Sequence, residues 1–161
     1  MKRKLIAAAL LFLVLAVAAI IFALSSQTGE VSGDMSHGVA DEIFSFVEGD
    51  WQIEHFLHMF VRKGAHMAEF ALLAFLLCAF FSYIMQHAPF YRLALICWLI
   101  ATLYGVSDEV HQIFVPGRGP SVKDVLIDAV GAALGVLALA VLRHLILKRK
   151  EKLLEKKECA S

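Results

Sequence analysis

From Leu5 to Leu24 the chain reads LIAAALLFLVLAVAAIIFAL, with no charged side chain. At 1.5 Å per residue a helix of that length covers roughly 30 Å, the thickness of a bilayer's hydrocarbon core. Lipid offers the backbone no hydrogen-bond partners, so a lone apolar run of this kind must be helical. Met1-Lys2-Arg3-Lys4 precedes it, as in a signal peptide, and Ala23-Leu24-Ser25 has small residues at cleavage-like positions. Signal cores run about 7–15 residues, however, and this one is longer. It is read as an uncleaved first span, about 5–24.

Three further apolar runs predict spans at about 65–86, 93–113 and 122–147. The last two carry acidic residues at one end. The 161 residues are 60% hydrophobic and 19% charged, with a mean hydropathy of +0.72. Soluble domains are nearer a quarter charged. One all-α, polytopic membrane domain over residues 1–161 is expected. The net charge of zero gives no reason to expect nucleic acid as partner. Cys78 and Cys97 lie inside apolar runs, Cys159 is near the C-terminus, and no C-x-x-C spacing exists. Neither a disulfide framework nor a thiolate metal site is expected, and no cofactor is implied.

Lys and Arg set the expected orientation. Lys2, Arg3 and Lys4 flank the first span, Arg92 lies between the second and third, and Arg143 with Lys148, Arg149, Lys150, Lys152, Lys156 and Lys157 closes the fourth. The other side has Arg62, Lys63, Arg118 and Lys123, with many carboxylates between Glu30 and Glu54. Both termini and the tail 148–161 are therefore expected in the cytoplasm. The loop 25–63 is expected outside. Within that loop Ile53, Phe56, Leu57, Phe60 and Val61 recur at helical spacing, with Asp50 as a candidate N-cap. They predict an amphipathic helix running into the second span, with Gly64 as a possible bend. Two placements stay open for it, in the membrane interface or packed on the spans.

The outer ends of three spans each carry a polar stripe. Lys63, His66 and Glu69 are spaced by three. Tyr104, Asp108, His111 and Gln112 share a face, with Glu109 at its border. Asp124, Asp128, Gly131 and Gly135 form a third stripe. Ionisable groups in lipid are costly, so the stripes should face one another or a wet cavity. The candidate binding cluster is Lys63, His66, Glu69, Asp108, Glu109, Gln112, Arg118, Asp124 and Asp128. Plainer roles stand beside it. Arg62 and Lys63 could snorkel to headgroups, and Asp124, three after Ser121, could be a helix cap. Gln112 could merely cross-link helices. Asp128 lies too deep for a cap and calls for a partner such as Lys63 or His66. Gly131 and Gly135 suit close helix packing, and Pro116-Gly117 suits the middle of a type II turn. No metal site is expected, and no G-x-S-x-G, HExxH or P-loop motif is present. Ser107 beside Asp108 is a weak nucleophile candidate.

In order, SSQTG at 25–29, Lys63-xx-His66 with Glu69-Phe70, Asp108-Glu109-xx-Gln112 leading to Pro116-Gly117-Arg118, and Asp124-xxx-Asp128-xx-Gly131-xxx-Gly135 resemble the VanZ-like family of bacterial membrane proteins. The resemblance spans about Ser25 to Gly135. It departs at Phe70, where many members have Tyr, and at Asp128, where many have Asn. The resemblance implies a multi-span protein of the bacterial cytoplasmic membrane. Its founding members are linked to low-level resistance to the glycopeptide teicoplanin. The expected function is binding of a lipid headgroup or cell-wall precursor at an outer-leaflet polar pocket. Arg118 and Lys63 would meet phosphate there, while Asp108, Glu109, His66 and Asp128 order the pocket. Membrane lipids are the expected partners. The alternatives are an intramembrane hydrolase or transferase on a lipid-linked substrate, and a non-catalytic scaffold.

Overall fold

The computed structural model describes residues 1–43 and 51–158. They form five helices: α1 Lys2–Ser25, α2 Gly29–Ile43, α3 Trp51–Ile84, α4 Phe90–Gln112 and α5 Val122–Glu158. Four are long and apolar enough to cross a membrane: α1, α3 from Phe56, α4, and α5 as far as Lys156. The expected spans fall on these helices, with the second overrunning the end of α3 by two residues and the third that of α4 by one. The amphipathic segment after Trp51 is the start of α3, which runs through Gly64 as one helix. The candidate cap Asp50 lies outside the described residues. Phe56 and Phe60 are exposed and stack on each other at 6.4 Å between ring centroids, while Leu57 and Val61 are half-buried. The segment thus turns part of its apolar face away from the bundle.

The core is small because most apolar side chains face outward, where lipid suits them as well as protein does. Phe70, Leu73, Ala74, Leu77 and Cys78 repeat at three and four along α3 and meet Cys97 and Ala101 of α4 and Ala132 of α5. α1 contributes one stripe, Val14 and Ile21. One polar tie between α1 and α4 is the Tyr104 hydroxyl, which donates to the Ala18 carbonyl at 2.7 Å. The Trp98 indole N–H similarly donates to Ala129 of α5 at 2.9 Å.

α5 lies directly on α3, and its glycines are the reason. A Cβ on Gly131 would strike the Met67 carbonyl, and one on Gly135 the Ala71 carbonyl. Gly131-xxx-Gly135 is therefore the packing surface its spacing predicts.

The sequence pattern alone does not predict α2. Gly33, Gly38 and several Ser and Asp residues lower its intrinsic helix propensity, yet Val31, Met35 and Val39 recur at i, i+4 and i+8. Its start is held from outside. The Gly29 amide donates to the Pro116 carbonyl at 3.0 Å, and a Cβ at Gly29 would overlap the Gly117 carbonyl. Gly117 itself has φ of 74°, and the Arg118 amide closes the turn on Val115 at 3.2 Å. That is the type II turn expected of Pro116-Gly117, with glycine at the left-handed position. Farther along, α2 meets α3 through the rings of His37 and His58, 3.8 Å apart, and through Asp41, 3.9 Å from His58 Nε2.

Candidate functional site

The polar ends of α3, α4 and α5 do come together, beneath α2 and beside the end of α1. Within this end the nine candidate residues divide into two groups.

One group braces the bundle. Gln112 Nε2 donates to Asp108 Oδ2 at 2.9 Å and to the buried Ser25 hydroxyl at 3.0 Å, clamping α4 to the end of α1. Glu109 reaches across the connection and accepts the Ser121 amide at 2.7 Å, just before α5 begins. In an S-x-x-D capping box the Asp side chain would take that amide. Here Glu109 takes it, and the Asp124 carboxylate is free to face Lys63 at 3.7 Å. The other half of the box is present but long, Asp124 N–H to the Ser121 hydroxyl at 3.4 Å. Asp128 is 1% exposed, with neither carboxyl oxygen hydrogen-bonded. The expected partnership with Lys63 or His66 is not formed. Lys63 is engaged by Asp124 one turn nearer the helix start, and Asp128 packs on Gly105, where a Cβ would come within 3.3 Å of both Asp128 and Phe70.

The other group faces open space. A cavity of about 150 Å³ is lined by Arg62, His66 and Glu69 of α3, by Arg118, and by Ser32, Ser36 and Val39 of α2. A second, of about 170 Å³, lies between α3 and α5 against Arg62, Lys63, His66 and Asp124. Arg62 and His66 line both. The sequence reading left Arg62 as a headgroup snorkeler. The signal was its place at i, i+4 and i+7 with His66 and Glu69. Asp108, Glu109, Gln112 and Asp128 are not among the lining residues of either cavity. Of the side chains expected to order a pocket, His66 lines both cavities, and Asp108, Glu109 and Asp128 lie buried among the helices beside them.

Arg118 is half-buried. It makes one long hydrogen bond, from Nη2 to the Leu24 carbonyl at 3.4 Å, while Nε and Nη1 are buried without a partner. Burial lowers the guanidinium's pKa, nearby Arg62 adds to that, and Asp108, Glu109 and Glu69 oppose it. Arginine remains charged through such shifts. His66 Nδ1 also lacks a partner.

His111 of the α4 stripe and the nucleophile candidate Ser107 lie elsewhere. His111 packs on Phe22 at 4.6 Å and meets the Ser26 hydroxyl at 3.1 Å, on the α1 side. Ser107 donates to the Tyr104 carbonyl of its own helix, at 2.7 Å, and is exposed. Among the described residues no side chain is hydrogen-bonded to its hydroxyl. Among the described residues no three His, Cys, Asp or Glu side chains converge as metal ligands would.

Residues 10–143, most of the chain, match the family model described as VanZ/LLP1. No curated protein and no solved structure matches the chain.

Proposed function

We propose that this chain, which belongs to the VanZ/LLP1 family, holds the anionic headgroup of a lipid-linked envelope molecule between α2 and the polar end of α3. The observation that carries this reading is Arg118, a half-buried planar cation with two buried nitrogens unpartnered, beside a cavity. Phosphate and carboxylate oxygens match such a fork of donors. Arg62 and His66 add donors on the same wall, and Glu69 offers acceptors to the hydroxyls of a sugar headgroup. Val39 and Val61 provide apolar surface for the start of a lipid tail. The volume, about 150 Å³, is well below the roughly 300–1,000 Å³ of drug-sized pockets. It suits a headgroup and not a whole cell-wall precursor.

Two observations favour binding over the alternatives. The hydrolase or transferase reading expects two carboxylates and a histidine within hydrogen-bond reach, and no hydrogen bond joins His66 to a carboxylate among the described residues. A bracing scaffold would leave neither cavities nor unpaired buried donors. Titration of the full chain in phosphatidylcholine nanodiscs with a long-chain isoprenoid phosphate should give saturable binding. Ser36→Phe fills the cavity from α2 and should abolish that binding with helical content unchanged. Wild-type affinity in Ser36→Phe would refute the site.

The proposed setting is the bacterial cytoplasmic membrane, with both termini cytoplasmic and the cavity at the outer face. Four spans leave both ends of the chain on one side, and the Lys and Arg residues of that side support the assignment. In a Cys159→Ser background, Val31→Cys should react with a membrane-impermeant maleimide on intact cells and Lys150→Cys only after lysis. The reverse pattern would invert the orientation.

A further inference from the structure

Arg143 stands on α5 five residues before Lys148, where the terminal basic run begins. At 1.5 Å per residue that is about 7–8 Å inside the run. A cation within a span needs an anion or water. Among the described residues no carboxylate forms an ion pair with it; the ion pairs present are His58–Asp41 and Lys63–Asp124. Its guanidinium lies over the ring of Phe90, 5.1 Å from the centroid. Phe90 is the first residue of α4, so the charge sits at the level where that span begins.

Beside it opens a groove of about 380 Å³ between α1, α3 and α5. Its walls include Leu10, Leu139, Leu142 and Ile146, with Ser82 and Tyr83 of α3. The Ser82 hydroxyl is buried with no hydrogen-bond partner. An apolar groove with one unpaired cation and a spare hydroxyl matches an acyl chain carrying a phosphate. The chain also concentrates Lys2, Arg3, Lys4, Arg92 and the Lys148–Lys150 run at this end. Basic clusters enrich anionic lipid around themselves. We propose that this groove, at the opposite end of the bundle from the Arg118 cavity, seats an anionic phospholipid whose phosphate pairs with Arg143.

Native mass spectrometry of the full chain, released from detergent holding equal phosphatidylglycerol and phosphatidylcholine, reads the preference. Both lipids carry the phosphate, but choline's own cation is repelled by Arg143 and its basic neighbours, so the wild-type protein should retain phosphatidylglycerol about fivefold over phosphatidylcholine, the scale of one basic side chain beside an anionic lipid. Arg143→Gln should bring the ratio near unity, and Arg143→Lys should recover part of it. Leu139→Trp, which fills the groove and leaves the cation, should lower retention of both lipids. Arg149→Gln, which removes one charge from the same end outside the groove, should keep the wild-type ratio. An unchanged ratio in Arg143→Gln, or an equal loss in Arg149→Gln, would overturn the site. So would undiminished retention in Leu139→Trp.

Discussion

Replacing Gly135 by Ala is expected to force α3 and α5 apart and to lower the thermal stability of the detergent-solubilised chain sharply. The added methyl would occupy the place of the Ala71 backbone carbonyl, which has no rotamer by which to move aside. The same is true of Gly131 against Met67. Overpacking of a closed interface costs roughly 1–3 kcal/mol and at times more. The penalty belongs at the upper end here, because the obstacle is backbone on both sides. Gly38→Ala is the matched control. A Cβ there meets nothing within 4 Å, and exchanging Gly for Ala inside a helix gains about 0.5–1 kcal/mol. Melting followed by circular dichroism should separate the two in opposite directions. A Gly135→Ala protein that melts with the wild type would mean the two helices do not lie in backbone contact.

The second large effect is on affinity. Arg118→Gln should weaken isoprenoid phosphate binding on the order of ten- to a hundredfold, from the loss of a charged donor worth about 1.5–3 kcal/mol. Arg118→Lys should fall between, since a point charge replaces a planar fork. Stability should change little in either variant, because the guanidinium's one hydrogen bond within the protein is the 3.4 Å contact to Leu24. In cells the same substitution should remove any shift in teicoplanin susceptibility that the wild-type chain confers, at equal membrane levels. A stability loss with affinity unchanged would make Arg118 a brace for the end of α1.

The family's ordered sequence pieces acquire physical reasons in the bundle. The glycine of SSQTG and the glycine of Pro116-Gly117-Arg118 are far apart in sequence and face each other backbone to backbone, with Gly29 hydrogen-bonded to Pro116. The first serine of SSQTG is the buried acceptor for Gln112. In this chain these pieces form one joint between α1, α2 and the α4–α5 turn. Glu109 shows why spacing alone misassigns roles. The S-x-x-D pattern at Ser121 points to Asp124 as the cap, but the amide goes to a carboxylate twelve residues upstream.

The sequence by itself determined the four spans, their polar ends and the glycine seam, because lipid penalises an unpaired backbone or charge so heavily that few patterns survive. It did not reveal α2, whose glycines and serines make a poor helix alone and whose start rests on the Pro116–Gly117 turn. Nor could it divide the charges. Lys63 with Asp124, Asp128 alone, and Arg62 beside Arg118 all follow from how far each helix is rotated and shifted against the next. Periodicity fixes which residues share a face. Only the packing of the faces, set by contacts such as Gly131 on Met67, decides which polar groups meet each other and which are left to meet a ligand.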